Sequence, residues 1–129
     1  MKIDDANFFF DHVFDKIQIK NFLNYTNDSN TIHSNKLIAK SLKYDDIIVP
    51  GLLVSNFFST LSANYLGKDK SVIISIKIDF HKPVYVNYLC KFGGEIIYVN
   101  EELKIKEANI YLYQKNEFKI KGKITIKYH

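Results

Sequence analysis

The longest stretch of the chain without a charged side chain is residues 47–67, IIVPGLLVSNFFSTLSANYLG, although 25% of the whole chain is charged. Small polar residues such as Ser55 and Ser59 recur on one helical face of this stretch, and apolar residues recur on the other, namely Leu53, Val54, Phe57, Phe58, Leu61 and Tyr65. Pro50 and Gly51 suit the first turn of a helix, and Gly67 suits the left-handed residue after its last turn. We therefore predict a buried central helix.

Shorter periodic segments precede this helix. Residues 7–14, NFFFDHVF, indicate an extended strand, and Asp15 can cap a short helix from Lys16 to Thr26. A polar loop follows, and a second short helix is predicted over about residues 34–42.

The hydrophobic pattern changes to a period of two after residue 67. This alternation predicts a strand whose core-facing residues are Val72, Ile74, Ile76, Ile78 and Phe80. Pro83 cannot donate to a strand ladder, so we expect the strand to bend there and to resume over residues 84–86. Two further strands are predicted over residues 88–99 and 103–113.

The last segment, FKIKGKITIKY, alternates almost without interruption. The side of this strand that faces solvent is predicted to carry Lys119, Lys121, Lys123 and Lys127. The side that faces the core is predicted to carry Phe118, Ile120, Ile124, Ile126 and Tyr128. The strands each have one apolar face, and the central helix is too apolar to lie at a surface. The order of elements therefore predicts an α+β protein in which an antiparallel sheet wraps around the central helix, which is the hot-dog fold.

The length and composition of the chain limit its number of domains, its location and its partners. A length of 129 residues predicts one domain over residues 1–129, and six Ser, Thr and Asn residues in the central helix argue against a membrane span. The first residues lack the apolar run of a signal peptide, and one cysteine cannot form an intrachain disulfide, so we expect a cytoplasmic location. The net charge of +4 favours anionic partners. The chain has no arginine and its lysines are dispersed, so nucleic acid is not an expected partner.

Three short blocks carry a resemblance to a known family. Asp28, Asn30, Ile32, His33 and Ala39 stand at the positions of the signature that follows an aromatic-rich helix in MaoC-like hydratases. Further along, residues 48–52 (IVPGL) and 80–84 (FHKPV) resemble that family's central-helix start and its Phe-x-x-Pro-Val strand. The three blocks occur in the family's order and cover most of the chain.

The resemblance implies a reaction and a site. The family hydrates trans-2-enoyl thioesters of coenzyme A or acyl carrier protein reversibly to (R)-3-hydroxyacyl thioesters, as part of fatty acid metabolism, in homodimers. By resemblance, Asp28 and His33 hold the catalytic water, the Gly51 amide binds the thioester oxygen, and Ser59 supports the substrate site. Asn30 braces the loop. No cofactor or metal is implied, because coenzyme A or phosphopantetheine arrives with the substrate.

The sequence departs from the family pattern at several positions. Asn27 replaces a glycine, Thr31 a proline and Pro50 a histidine. Asn27 can still adopt left-handed backbone angles, and Pro50 leaves the Gly51 N–H in place. Two alternatives to a hydratase stay open: a hot-dog acyl thioesterase, and a non-catalytic protein that binds acyl thioesters. Neither the remaining histidines nor Cys90 suggests a metal site, and Cys90 is predicted to pack in the core.

Overall fold

The computed structural model describes residues 7–129, and its strands form one antiparallel sheet. The strands are β1 (Asn7–Val13), β2 (Val72–Phe80), β3 (Leu89–Asn100), β4 (Ile105–Gln114) and β5 (Glu117–Lys127). Their order across the sheet is β1-β3-β4-β5-β2, so β1 and β2 are the two edges.

The helices lie between β1 and β2 in the sequence. They are α1 (Lys16–Thr26), a 3-10 turn (Thr31–His33), α2 (Lys36–Ser41), α3 (Gly51–Asn56), α4 (Phe58–Leu61) and a π-helical turn (Ser62–Leu66). The last three run on without a break and form the predicted central helix. Asp15 caps α1 as predicted, since its carboxylate accepts from the Gln18 amide and the Gln18 side chain accepts from the Asp15 amide.

The central helix buries Leu53, Val54, Phe58 and Leu61 in one core cluster. The sheet contributes residues of β3, β4 and β5 to the same cluster, including Phe92, Ile110, Leu112, Ile120 and Ile124. This arrangement confirms the α+β class and the hot-dog fold predicted from the sequence.

The end of the central helix differs from the prediction. Tyr65 is 42% exposed and Leu66 takes the buried position, because the Gly67 amide bonds to the Ser62 carbonyl five residues earlier and the wider π turn shifts the face. Gly67 has a φ of −118°, so it is not left-handed as predicted. It is glycine for another reason: a Cβ there would overlap Ser71 and Ile126.

The inward face of β5 also differs. Phe118 is 44% exposed, whereas Lys119 is buried, the reverse of the predicted alternation. In the pairing with β4, Leu112 faces Ile120 but Tyr113 faces Phe118, which leaves Lys119 as the extra residue of a bulge. The bulge reverses the alternation at this end of the strand.

The edge strand β2 shows a second bulge. Ile73 and Ser75 pair with consecutive residues of β5, so Ile74 is the extra residue, and Val72 and Ile74 are both more than half exposed. Ile73, together with Ile76, Ile78 and Phe80, lies on the side of the central helix. Val72 and Ile74 were therefore wrongly predicted as core residues.

Residues 84–86 do not resume β2. They leave the sheet and pair with residues 47–49, because the Val49 amide donates to the Val84 carbonyl and the Val86 amide donates to the Ile47 carbonyl. The chain turns at residues 81–82, whose two amides both donate to the Lys119 carbonyl in the bulge. The pairing of residues 84–86 with residues 47–49 fixes the start of the central helix.

Candidate active site

The loop after α1 is organised by side-chain capping. Asn27 ends α1 in the left-handed conformation, with φ of 55°, as expected for a residue that replaces glycine. The Asp28 amide donates to the Leu23 carbonyl, and Asp28 Oδ1 accepts from the Asn30 amide at 2.9 Å. One carboxylate oxygen of Asp28 is thus used by the loop, and the half-buried side chain is held in one orientation.

His33 is held from both sides of the loop. Asn30 Oδ1 accepts from the Ile32 amide and caps the 3-10 turn that carries His33. His33 Nδ1 lies 2.7 Å from the Ile48 carbonyl oxygen, and the Ile48 amide donates to the Ile32 carbonyl. Because a carbonyl only accepts, Nδ1 carries the proton of the neutral ring, and Nε2 then has a free lone pair.

Asp28 and His33 line the same cleft. This α1 cleft, of about 430 Å³, lies beside α1 and is bounded by Lys16, Ile19, Lys20, Leu23, Asn24, Asp28, His33, Ser34 and Ile47. The structure therefore brings together an acidic and a basic group, both half-buried, on one accessible surface.

Gly51 lines a different space. The helix-start cavity, of about 310 Å³, contains Gly51 with His33, Tyr44, Phe80, Lys82 and Val84. Pro50 provides no side-chain cap, and the Gly51 amide makes no hydrogen bond to residues 7–129. His33 lines both spaces and stands between Asp28 and Gly51.

The Phe80 ring fills the side of the cavity next to Gly51. A Cβ on Gly51 would lie 2.9 Å from Phe80 Cε1, so glycine permits the close approach of this ring. Alternation along β2 placed Phe80 on the core face, yet its side chain is 51% exposed and lines two cavities.

Ser59 and Asn30 lie apart from this pair. Ser59 is exposed in a β2 groove of about 530 Å³, which is lined by Leu52, Ser55, Asn56, Ser59, Ile73, Ile76, Ile78 and Phe80. Asn30 is exposed and lines neither the α1 cleft nor the helix-start cavity. Its hydrogen bonds all lie within the loop, and they include one from the His33 amide to the Asn30 carbonyl, in agreement with a bracing role.

Sequence reasoning missed several residues that line these spaces. Tyr44, Lys16 and Lys20 carry no motif, and only the packing of α1 and α2 around His33 places them there. The helical spacing of Lys16 and Lys20 was a usable signal, since residues four apart share a helix face.

A buried glutamine supports the wall of the helix-start cavity. Gln114 is 1% exposed, accepts from the Tyr85 amide and donates to the carbonyls of Tyr85 and Tyr88. Cys90 lies next to it, fully buried, and burial raises the pKa of its thiol to about 12. Cys90 is thus a packing residue, as predicted, because a thiol with this pKa is not a nucleophile near neutral pH.

Lys82, at the cavity rim, is neutralised by Glu117. Glu117 also pairs with the buried Lys119 at 2.7 Å, and hydrogen bonds from Lys119 and then Lys82 lower the pKa of its carboxyl to about 2. The ordinary pKa of this group is 4.5, so Glu117 stabilises the fold at pH values above 4.5. That contribution is lost as the pH falls towards 2.

Glu117→Gln is expected to reduce the acid sensitivity of folding. Between pH 5 and pH 2.5 the urea midpoint should fall further in the wild type than in this variant, because only the wild type loses the ionised carboxylate. Glu95→Gln is a matched control, since Glu95 is exposed and has no ion pair among residues 7–129. Parallel declines in the wild type and Glu117→Gln would contradict this linkage.

Over residues 7–129, no group of three His, Cys, Asp or Glu side chains is arranged to hold a metal ion. None of the helices in that range is both long enough and apolar enough to cross a bilayer.

One family model and two curated relatives match the sequence of this chain. A family model described as MaoC like domain matches residues 7–114. A mitochondrial 3-hydroxyacyl-acyl-carrier-protein dehydratase of Solanum lycopersicum is 30% identical over 83 residues, which cover 64% of this chain and 45% of the relative. The similarly named mitochondrial protein of Arabidopsis thaliana is 28% identical over 97 residues, 74% of this chain and 53% of the relative. The chain thus spans about half the length of these curated relatives.

A solved structure agrees over the whole chain. An (R)-hydratase from A. caviae, described as involved in PHA biosynthesis, superposes with a TM-score of 0.91 at 18% identity. The superposition covers 100% of this chain and 98% of that one, and it shows that the two share a fold.

Proposed function

This chain belongs to the MaoC-like dehydratase family, and we propose that it catalyses the reversible hydration of trans-2-enoyl thioesters to (R)-3-hydroxyacyl thioesters. The observation that carries the proposal is the α1 cleft, in which the half-buried Asp28 and His33 lie together. The curated relatives, named dehydratases of 3-hydroxyacyl thioesters on acyl carrier protein, support the same reaction class. The acyl group is proposed to arrive on coenzyme A or on a carrier protein.

The bond from His33 Nδ1 to the Ile48 carbonyl gives His33 its role. With Nδ1 protonated, Nε2 accepts a proton from a water that also donates to the Asp28 carboxylate. The water oxygen attacks the β-carbon of the enoyl group as its proton moves to the pair. The pair then returns a proton to the α-carbon, so that one water is added and the protein ends in its original protonation state.

Charge on the thioester oxygen needs a donor during this step. The Gly51 amide is proposed for that role, because it begins the central helix, has no acceptor among residues 7–129 and lies in the cavity that shares His33 with the α1 cleft. The thioester would then lie beside the His33 ring, with its oxygen towards Gly51 and its double bond towards Asp28. Ser59, in the β2 groove, is proposed to contact the acyl chain rather than the water.

The proposal is tested by turnover of a panel of short and medium trans-2-enoyl thioesters on coenzyme A and on carrier protein. Hydration removes the ultraviolet absorbance of the conjugated thioester, and chiral analysis should give the (R)-3-hydroxy product. Release of free thiol from an acyl-CoA would favour a thioesterase instead. Binding of enoyl thioesters without any turnover would favour a non-catalytic binding protein.

We also propose a homodimer formed through β2. This edge strand has no neighbour on its outer side among residues 7–129, and Val72, Ile74 and Phe80 are 56%, 55% and 51% exposed. A long apolar edge is a site for pairing with another strand. A second copy related by a two-fold axis would place its own β2 against the first. The β2 groove lies at this edge, so the partner would cover it.

Sedimentation at micromolar concentration is therefore expected to give twice the 15.1 kDa chain mass. Ile74→Lys should shift the protein towards monomer, because it places a charge on the apolar edge that the second copy would cover. Phe9→Lys is a matched control at the opposite edge, where Phe9 is 63% exposed on β1. A wild-type monomer with full hydratase activity would refute both the dimer and a site shared between subunits.

We propose a single domain over residues 1–129 and a cytoplasmic location for this protein. Its single cysteine, Cys90, is fully buried, which suits a reducing compartment. No metal or cofactor has a step in the proposed reaction.

A further inference from the structure

Two lysines of the α1 cleft have no part in the proposed chemistry. Lys16 and Lys20 lie four residues apart on α1, so their side chains project from one side of the helix. Both are exposed, and both line the cleft that holds Asp28 and His33.

These lysines differ from others near the site in their ion pairing. Lys82 at the helix-start cavity pairs with Glu117, Lys36 on α2 pairs with Asp46, and Lys115 pairs with Asp45. Among residues 7–129 no carboxylate lies within ion-pair distance of Lys16 or Lys20. Within that part of the chain, neither lysine is therefore neutralised by an ion pair.

The position of Lys16 does not favour helix stability. It is the first residue of α1, and the first turn of the helix contains no acidic residue. The amino end of a helix carries a partial positive charge, so a lysine there is repelled and an anion is attracted. The Asp15 carboxylate caps this helix end and offsets part of its charge, so the two lysines are the source of the positive potential.

Apolar side chains also form part of the α1 cleft. The buried Ile19 lies between the two lysines and the half-buried Leu23 follows them, and Asp28 and His33 come after the far end of α1. At 1.5 Å per residue, Lys20 and Thr26 are about 9 Å apart along the helix axis. An elongated ligand with an anionic group at one end and a reacting group at the other matches this arrangement.

We propose that Lys16 and Lys20 bind the phosphate ester at the end of a phosphopantetheine arm, and that the arm lies along α1 to bring the thioester to His33. This inference rests on the proposed function, since it names how the same site holds its substrate carrier. The phosphate is common to coenzyme A and to the prosthetic group of a carrier protein. The double substitution Lys16→Gln and Lys20→Gln removes both charges and retains most of the side-chain length.

The test compares four crotonyl thioesters that share one acyl group: those of coenzyme A, phosphopantetheine, pantetheine without phosphate, and a holo acyl carrier protein. The double variant is expected to raise KM about tenfold for the three phosphorylated substrates, the sum of two partly exposed charge contacts. Its kcat should change less than about twofold, and KM for the pantetheine thioester should stay at the wild-type value. Added salt should raise the wild-type KM for the phosphorylated substrates more than that of the variant.

Lys40→Gln with Lys43→Gln is the matched control. These lysines of the α2 region are also exposed and without an ion pair among residues 7–129, but they line neither the α1 cleft nor the helix-start cavity. The control is expected to leave every KM at the wild-type value. An equal rise of KM in both double variants would show an effect of net charge alone and would overturn the proposal.

The substrates separate the possible sources of the effect. Equal rises with coenzyme A and phosphopantetheine assign the contact to the arm phosphate, and a larger rise with coenzyme A extends it to the nucleotide phosphates. A rise confined to the carrier protein would show recognition of the protein surface and would overturn phosphate binding. An equal rise of KM for the pantetheine thioester, or no rise of KM for any substrate, would also overturn phosphate binding.

Binding of butyryl-CoA, which has no double bond to hydrate, separates this inference from the proposed reaction. Calorimetry is expected to give an approximately tenfold weaker Kd for the Lys16/Lys20 variant than for the wild type. If the wild type hydrates nothing but this difference is found, the phosphate site stands and the hydratase proposal fails. If the wild type hydrates crotonyl-CoA and the Kd values are equal, the hydratase proposal stands and the phosphate site fails.

Discussion

Asp28→Asn and His33→Ala are each expected to lower hydration of a short enoyl-CoA by roughly two to four orders of magnitude, the usual contribution of a positioned acid or base. The structure predicts that Asp28→Asn preserves the loop, because an asparagine Oδ1 can still accept from the Asn30 amide. The Asp28→Asn variant loses the negative charge of the carboxylate, which faces the water in the proposed mechanism. His33→Ala loses the Nε2 lone pair and also the bond to the Ile48 carbonyl.

The losses are not expected to add. In the proposed mechanism both groups act on one water, so the double variant should be little slower than the slower single variant, as for residues that work as a unit. The rate is measured by loss of enoyl absorbance, with circular dichroism as the control for folding. His33→Asn separates structure from chemistry, because its amide can still donate to the Ile48 carbonyl but cannot take a proton.

Asp69→Asn is the matched carboxylate control, since Asp69 is exposed in the turn after the central helix. It is expected to leave the rate unchanged. Wild-type rates in folded Asp28→Asn and His33→Ala would make both residues structural and would remove the basis of the proposed reaction.

Phe92→Ala is expected to cost about 3 to 5 kcal/mol of the free energy of unfolding, the range for a large aromatic side chain removed from a core. Phe92 is fully buried on β3, and its ring lies 4.9 Å from that of Phe10 and 5.3 Å from that of Phe58. The rings of Phe14 and Phe57 also pack against it. Phe92 on β3 therefore packs against both β1 and the central helix, and its loss leaves a cavity that the surrounding rigid rings cannot fill.

The size of this loss makes it a sensitive test of the core. Domains are stabilised by about 5 to 15 kcal/mol, so Phe92→Ala should remove a large part of the total. Phe9→Ala is the matched control: Phe9 is 63% exposed on β1, with a lysine 5.6 Å from its ring centroid. Its loss should cost less than about 1 kcal/mol.

Urea unfolding followed by circular dichroism measures both variants. If Phe92→Ala does not fold, Phe92→Leu should give a smaller and measurable loss, because it fills part of the cavity. Equal stabilities for Phe92→Ala and Phe9→Ala would show that the aromatic cluster does not hold the sheet and the central helix together.

Local chemistry determined most of the elements from the sequence alone. The Asp15 cap, the helix from Lys16 to Thr26 and the strand from Val72 to Phe80 have the predicted bounds, because capping and hydrophobic periodicity act between residues close in the chain. The left-handed Asn27 could likewise be predicted from its residue type. The family signature around Asp28 and His33 is also local, and the family match confirms that resemblance.

The candidate site was only partly predictable. Asp28 and His33 lie in one cleft, in agreement with their positions five residues apart in a loop that is held by its own side chains. The hydrogen bond that sets the His33 tautomer joins residues fifteen positions apart and required the structure. The same holds for the separate placement of Ser59, which depends on how the central helix packs against β2.

The sequence by itself therefore determined the order of most elements, the fold class and the left-handed conformation of Asn27. Only the tertiary structure decided which side of a strand faces the core beyond each bulge, as with Lys119 on β5 and Ile73 on β2. It also decided that residues 84–86 pair with residues 47–49 and that Lys16 and Lys20 line the cleft of His33. The physical reason is that a bulge, a bridge or a cavity wall belongs to two segments at once. Its energy depends on cross-strand register and packing, which the periodicity of either segment alone does not contain.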